Sequence, residues 1–409
     1  MNDQNFRILL SPILNLINSN IGVGILAMPF CFHECGILLA ITALMVVAVA
    51  TFFSCTSILR TTVKFRCDSL EQAAYKSHGL LGKRLVELST IGFLFGMLVG
   101  LNVAISDMST DVFATVGGIK PTLAIRFPAL LFSLTLVSPF CFIRRIEALS
   151  AASSVAVILY SIFLLSLVIG YAVPKILSAD FVVLHFRLWR PEGLVHCAPI
   201  LASSLCCQVQ VNTIYSSLKS ASYYNMKRVL VWAVGFILIC YLTAGFFGYI
   251  AFYNGPGSTV AGNILNMYPE DFHAAYIRLS FLYTMMASFP LILFPLRTSL
   301  HSLLFEEFDN GPLCAEPGLV IPNSRFRWLT AATIAMSVIV SQTTNRVEVI
   351  LAHTGSLAGA LICYVLPAVI HLRAAGTIMT LASGLAICLL LFGFFVLISP
   401  ILTLLCVDA

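Results

Sequence analysis

Polar and glycine residues interrupt the first apolar segment of the chain, where an unpaired polar group is costly. They are Asn15, Asn18, Ser19 and Asn20, then Gly22-Val23-Gly24 and Pro29. Each glycine weakens a helix by about 1 kcal/mol relative to alanine, so the pattern predicts a helix that is broken near its middle. A broken helix presents carbonyl oxygens that can coordinate a cation and N–H groups that can hold a carboxylate.

We assign these two roles on either side of the expected break. The candidate cation carbonyls are those of Asn18 and Ile21, and the candidate N–H donors to an anionic group are Gly22, Val23 and Gly24. The alternative is that the small residues only let neighbouring helices approach closely.

A second apolar segment, 194–215, has the same design. It contains Pro199, Ser203, Ser204, Gln208, Gln210 and Asn212. Two interrupted helices at corresponding positions of two five-helix halves indicate an inverted-repeat transporter with its binding site near the middle of the membrane. This coincidence makes close packing alone a weaker explanation of the first segment.

Two hydroxyl side chains in the segment 273–304 are further candidates for the cation. Thr284 and Ser288 are four residues apart and therefore share one helix face. Hydroxyl oxygens are hard ligands that suit a small cation. They could instead bond carbonyls of their own helix, close to Pro290 and Pro295, and without a partner helix the sequence favours that role.

The composition identifies the medium in which these elements fold. Of 409 residues, 59% are hydrophobic and 10% are charged, against about 25% charged residues in a soluble domain. This excludes soluble enzymes, and the net charge of +5 is too small and too scattered for a nucleic-acid partner. No segment offers a nucleophile, a base and an acid at a workable spacing, so we predict that the protein is not an enzyme.

We interpret most of the 13 cysteines, which lie in apolar runs, as packing residues.

Eleven segments are long and apolar enough to cross a bilayer, which requires about 20 residues. They are 8–31, 36–60, 84–112, 124–143, 148–174, 194–215, 228–252, 273–304, 326–344, 348–371 and 376–406. The connections between them are too short to bury a core of their own. We therefore predict a single transmembrane domain over 1–409, with a first repeat at about 8–174, a second at about 194–371 and an extra helix at about 376–406.

Basic residues in the connections indicate the orientation. If the N-terminus is cytosolic, 16 of the 23 lysines and arginines lie on the cytosolic side and 7 on the other, as the positive-inside rule requires. The plasma membrane and an internal membrane both stay open. One cytosolic connection holds an amphipathic segment, 68–80, with Asp68 as its expected helix cap and Glu71 three residues later. We interpret it as a solvated helix on the membrane surface.

Five stretches, spread over nearly the whole chain, carry a resemblance to a known family. They are NLINSNIGVGILAMPFCFHECGI, AAYKSHGLLGKRLVE, CCQVQVNTIYSSL, RLSFLYTMMASFPLILFPLRTSL and GSLAGALICYVLPAVI. Together they resemble the amino acid/auxin permease superfamily, and within it the sodium-coupled neutral amino acid transporters of solute carrier family 38.

The resemblance implies an all-α membrane protein with the leucine-transporter type of fold, in which eleven helices form a 5+5 inverted repeat and helices 1 and 6 are broken. It implies a sodium ion between the first and eighth helices, where Asn18 and Ser288 match the family's sodium-linked residues and Ile21 and Thr284 complete our candidate set. A substrate carboxylate would meet Gly22, Val23 and Gly24, and the substrate's side chain would face Ser203, Ser204, Cys207 and Gln208.

The expected function is secondary active transport of a neutral L-amino acid of the glutamine or alanine class, with symport of sodium or a proton by alternating access. No cofactor is expected besides a sodium ion, and the expected partners are the small-molecule substrate and the lipid bilayer. The alternative is a membrane amino-acid sensor or signalling scaffold with little transport, because sensing and transport use the same pocket.

Overall fold

Each segment must satisfy its own backbone hydrogen bonds, because lipid offers none. In the computed structural model all secondary structure of the described residues is helical; it describes 3–67, 69–117, 123–178, 186–218, 222–253, 255, 258–269, 272–305, 321–343, 346–376 and 381–407. The α-helices are α1 (Asp3–Ile21), α2 (Gly24–Cys35), α3 (Ile37–Phe65), α4 (Leu70–Gly117), α5 (Leu123–Cys141), α6 (Ser150–Ser166), α7 (Val173–Leu177), α8 (Pro191–Ser204), α9 (Gln208–Ser217), α10 (Tyr223–Phe252), α11 (Phe272–Phe305), α12 (Asn323–Ser341), α13 (Val347–Thr354), α14 (Leu366–Ala375) and α15 (Leu381–Val407).

Eight helical regions of the described chain are long and apolar enough to cross a membrane, and nine if α1 and α2 form one bent span. The chain is therefore a multi-pass integral membrane protein. Two of the eleven predicted spans fall outside this set: Ile125–Cys141 is shorter, and α12 begins with the polar run Asn-Ser-Arg-Phe-Arg. The number eleven stays a prediction.

In the described chain, three short π-helical turns interrupt two of the spans. The turns are Leu167–Ala172, Gly355–Gly359 and Leu361–Val365. A π turn shifts the hydrogen-bond ladder by one residue and is frequent at functional sites. In the third of these turns, the carbonyl of Cys363 accepts hydrogen bonds from the side chains of Gln208 and Ser54. This turn therefore contacts neighbouring helices through a buried backbone carbonyl group.

The two ends of the helix bundle are held by different polar contacts. At one end, which we call the basic end, Lys64 Nζ donates to the carbonyl of Ala374 at 2.5 Å and Arg84 donates to that of Leu303 at 3.0 Å. At the opposite end, ion pairs join Arg126 to Asp107 at 2.9 Å, Arg278 to Asp111 at 3.4 Å and Arg190 to Glu34 at 3.5 Å. The charged groups thus occupy the ends of the bundle and leave the middle to neutral polar groups.

The segment 68–80 is docked onto the bundle. Asp68 lies outside the described residues, and the hydroxyl of Ser69 instead accepts a hydrogen bond from the backbone N–H of Gln72 at 3.3 Å. Leu70, Ala73 and Ala74 are buried, and the chain then turns at Gly79, where φ is +67°. The interpretation as a solvated helix therefore holds only for the outer face, where Tyr75, Lys76 and His78 are exposed, because the apolar face has packing partners in the bundle.

Glycines let α10 pack tightly against α2. A methyl group on Gly245 would lie 2.3 Å from ring carbons of Phe32, and one on Gly248 would lie 2.6 Å from Pro29. Real methyl contacts are not that short, so only glycine permits this approach. The second half of the bent first span is therefore fixed against α10.

We expect Gly245→Ala to lower the stability of the folded protein by about 1–3 kcal/mol, because an overpacked interface must shift. The matched control is Gly235→Ala on the same helix, where the added methyl meets no atom within 4 Å and where alanine favours the helix by about 1 kcal/mol. Thermal unfolding of each purified variant in detergent measures its stability. Equal melting temperatures for the two variants would contradict the packing described here.

Candidate functional site

The first helix break lies where the glycines predict it. Helix α1 ends at Ile21, Gly22 has a φ of +35°, and α2 begins at Gly24 with its axis bent by 54°. A positive φ is readily available to glycine. No side chain caps the start of α2, so the first N–H groups of α2 lack the side-chain acceptor that commonly satisfies them.

The second break lies inside the predicted polar segment. Helix α8 ends at Ser204 and α9 begins at Gln208, so Leu205–Cys207 separate them. The start of α9, like that of α2, has no side-chain cap. Both breaks thus leave a helix start without a side-chain cap in the middle of a span.

The hydroxyl of Tyr241 on α10 joins the two breaks. It lies 3.1 Å from the carbonyl oxygen of Asn20, 3.2 Å from that of Ile21 and 2.8 Å from that of Ser204. The tyrosine is fully buried. A single hydroxyl proton is therefore shared among carbonyls at the ends of α1 and α8, which would otherwise be poorly satisfied in an apolar interior.

The structure brings some of the predicted substrate residues together. A methyl group on Gly24 would lie 2.9 Å from both Ser204 Oγ and Tyr241 Oη, so the two breaks are in direct contact. Val23 is buried beside Gly24, and Gly22 forms the bend. The first break and Ser204 thus belong to one site.

The other predicted substrate residues face different neighbours. The hydroxyl of Ser203 lies against Gly355, where an added methyl would be 2.8 Å away. Cys207 Sγ is 3.5 Å from Cys55 Sγ, and Gln208 Nε2 donates to the carbonyl of Cys363 at 3.1 Å. These residues connect the second break to α3 and to the span Val347–Ala375.

The predicted cation ligands from α1 and α11 meet. Ser288 Oγ lies 3.0 Å from the backbone oxygen of Asn18, 3.1 Å from Asn18 Oδ1 and 2.9 Å from the carbonyl of Thr284. Thr284 Oγ1 donates within its own helix, to Phe281 at 2.8 Å. Neutral oxygens of this kind suit a small hard cation. Ile21 differs, because its carbonyl accepts from Tyr241.

Three side chains at the site carried no signal in the sequence. Besides Tyr241 they are Ser153, whose hydroxyl accepts from Asn18 Nδ2 at 3.3 Å, and Tyr160, which lies beside the hydroxyls of Thr284 and Ser288. The hydroxyl of Tyr160 is buried and has no hydrogen-bond partner among the described residues. Each is a hydroxyl side chain within a mainly apolar helix, where such residues most often only pack or bond their own helix.

A disulfide links the second break to the π turn. It joins Cys206 to Cys363, which are 157 residues apart. Most of the other described cysteines are free and buried, namely Cys31, Cys35, Cys55, Cys141, Cys197, Cys207 and Cys240. The interpretation of the cysteines as packing residues therefore holds for most of them, and it is wrong for this pair.

Comparison with known families decides the family. The sequence model described as "Transmembrane amino acid transporter protein" matches residues 9–405. The chain belongs to the transmembrane amino acid transporter family. That match covers both helix breaks and the cluster of Asn18, Thr284 and Ser288.

Curated members of this family include proteins with a similar sequence. The chain is 32% identical over 363 residues to the Xenopus laevis protein named "Putative sodium-coupled neutral amino acid transporter 10", and 31% identical over 364 residues to mouse solute carrier family 38 member 10. Each alignment covers 88% of this chain, but 34% and 33% of those proteins. The chain thus spans about a third of the length of these relatives.

A solved structure confirms the type of fold. The chain superimposes on the crystal structure of MhsT in complex with L-phenylalanine with a TM-score of 0.59, at 14% identity, over 97% of this chain and 98% of MhsT. The fold of this transporter-family chain is therefore of the leucine-transporter kind.

We expect Tyr241→Phe to lower the stability by about 1–3 kcal/mol, because it leaves buried carbonyl groups of Asn20, Ile21 and Ser204 without their common donor. Tyr276→Phe is the control, since Tyr276 is half exposed on α11. Thermal unfolding in detergent reports the difference. An unchanged melting temperature for Tyr241→Phe would show that the two breaks do not depend on this hydroxyl.

Proposed function

We propose that the chain is a secondary active transporter of neutral amino acids that works by alternating access and couples transport to a cation. The observation that carries the proposal is the contact between two broken helices at Gly24, Ser204 and Tyr241. One side of this contact offers uncapped N–H groups for a carboxylate. The other side, at Asn18 and Ser288, offers oxygens for a cation.

The neutral lining supports a substrate with an uncharged side chain. The candidate substrate residues are glycine, valine, serine, cysteine and glutamine, and the described ion pairs lie toward the ends of the bundle. A charged side chain buried among these neutral residues would be costly in a membrane unless it were paired. We propose an amino acid of the glutamine or alanine class.

The donor set supports sodium as the first candidate cation. Asn18 supplies a backbone and an amide oxygen, and Ser288 and Thr284 supply hydroxyls, none of which carries a titratable proton near neutral pH. The sodium-coupled name of the Xenopus laevis relative points the same way. Proton coupling is the alternative, and the experiment below distinguishes the two.

We further propose the complete arrangement that the sequence predicts. It has eleven spans with the N-terminus in the cytosol, a first repeat at about 8–174, a second at about 194–371 and an extra helix at about 376–406. The basic end would then face the cytosol, in keeping with the positive-inside rule.

The test is uptake of labelled glutamine and alanine into proteoliposomes that contain the purified full chain, with and without an inward sodium gradient at two pH values. Accumulation that follows the sodium gradient supports sodium symport, and accumulation that follows only the proton gradient reassigns the cation. Binding without accumulation under either gradient would contradict transport and favour an amino-acid sensor.

We expect Ser288→Ala to raise the sodium concentration for half-maximal uptake by about tenfold, which corresponds to about 1.4 kcal/mol, because a cation ligand between α1 and α11 is lost. Ser280→Ala on the same helix is the matched control. The hydroxyl of Ser280 donates to the carbonyl of Tyr276 at 2.9 Å, within its own helix, so its removal should leave the sodium dependence unchanged. Identical sodium curves for both variants would refute the assigned site.

We expect Gly24→Ala to reduce uptake by more than about tenfold, because its methyl group would push Ser204 and Tyr241 away from the first break. Gly384→Ala on α15 is the control, since a methyl group there meets no atom within 4 Å. Initial uptake rates, normalised to folded protein, give the comparison. A Gly24→Ala variant with a normal rate would remove the contact between the breaks from the proposed mechanism.

A further inference from the structure

A cleft leads from the basic end to the second helix break. Its volume is about 480 Å³, including its open mouth. The polar residues that line it include Glu71, Thr90, Gln208, Asn212, Thr298 and Ser299. The cleft therefore connects the start of α9 with the docked helix that begins at Leu70.

Two buried oxygen atoms of the lining residues have no partner among the described residues. They are Gln208 Oε1 and Asn212 Oδ1, on side chains whose residues are 1% and 8% exposed. The orientation of the Gln208 amide is fixed, because its Nε2 donates to the carbonyl of Cys363 at 3.1 Å. An amide oxygen can only accept hydrogen bonds or coordinate a cation. Buried acceptors of this kind call for a positively charged or donor group.

Glu71 adds negative charge to the same cleft. It is the one ionisable side chain among the described residues that line it. Its carboxylate accepts a hydrogen bond from Ser299 Oγ at 3.1 Å, so α11 holds it in place. The burial of Leu70, Ala73 and Ala74 fixes the helix that carries it. A carboxylate together with neutral oxygens repels anions and attracts cations.

We propose that this cleft is a second binding site, for a monovalent cationic group, on the path between the helix breaks and the basic end. The proposal rests on the proposed transport function. The group is either a free sodium ion or the ammonium group of the amino acid in transit, because both need oxygen acceptors and one negative charge. A single carboxylate and neutral oxygens suit one positive charge better than a divalent ion, which takes more carboxylate ligands.

The experiment measures binding of radioactive sodium to the purified full chain and to three variants, Ser288→Ala, Glu71→Gln and the double variant. Glutamine can still accept the hydrogen bond from Ser299, so Glu71→Gln removes the charge with little change of shape. The control is Glu192→Gln, which removes an exposed carboxylate outside the cleft. Melting temperatures confirm that each variant is folded.

We expect Ser288→Ala still to bind sodium at the cleft. We expect the sodium affinity of the double variant to be about tenfold lower than that of Ser288→Ala. Equal binding to Ser288→Ala and to the double variant overturns the cleft site. In a third outcome, Ser288→Ala binds sodium as the wild type does and Glu71→Gln does not bind it. That result would refute the central sodium site and support the cleft site. The two proposals therefore fail separately.

Competition in the Ser288→Ala variant distinguishes the two sources of positive charge. Ethylamine, which carries an ammonium group and no carboxylate, displaces sodium if the cleft accepts the substrate's amino group. If ethylamine does not compete while unlabelled sodium does, the cleft is a site for the inorganic cation. If neither competes, the residual binding is not at a defined site, and the proposal is wrong.

Discussion

Every polar backbone group inside the bilayer needs a partner within the protein, and the two helix breaks depend on how that need is met. Interrupting a helix leaves carbonyls at the end of one half and N–H groups at the start of the next. Here the hydroxyl of Tyr241 lies within hydrogen-bond distance of carbonyl oxygens at the ends of both α1 and α8. The N–H groups that start α2 and α9 have no side-chain cap. The carbonyl side of the breaks is therefore satisfied within the protein, and on the proposed function the donor side would be satisfied by a bound carboxylate.

The separation of charge along the bundle follows from the same constraint. Ion pairs and most basic side chains lie toward the two ends, where their carboxylate and carbonyl partners are. The middle contains hydroxyls, amides and backbone groups, whose burial costs less than that of an unpaired charge. The zwitterionic substrate of the proposed function would suit such a middle, because the breaks themselves supply partial charges of both signs.

The sequence, with its family resemblance, allowed the breaks and the contact between Asn18 and Ser288 to be predicted, but not the other contacts that hold them. Gly22 and Gly24 mark the first break because glycine acts on local backbone conformation. Asn18 is recognisable because amides are rare in spans, whereas Ser288 is paired with it only through the family resemblance. The contact of Tyr241 with Ile21 and the bond between Cys206 and Cys363 depend instead on which helices become neighbours, over 220 and 157 residues of sequence. The docking of Glu71 was missed for the same reason, since its partner Ser299 lies on another helix.

The hydroxyl of Ser288 can connect α11 to α1 whether or not a cation is bound beside it. Without one, its proton can bond Asn18, because both oxygens of that residue lie within 3.1 Å. A cation at the same place needs the lone pairs of Ser288, so the proton must turn elsewhere. The carbonyl of Thr284, 2.9 Å away in the same helix, is an acceptor already in position. Because rotation about one bond exchanges the two states, α1 and α11 would stay connected in both, and a cation bound at the proposed site would strengthen a connection that already exists.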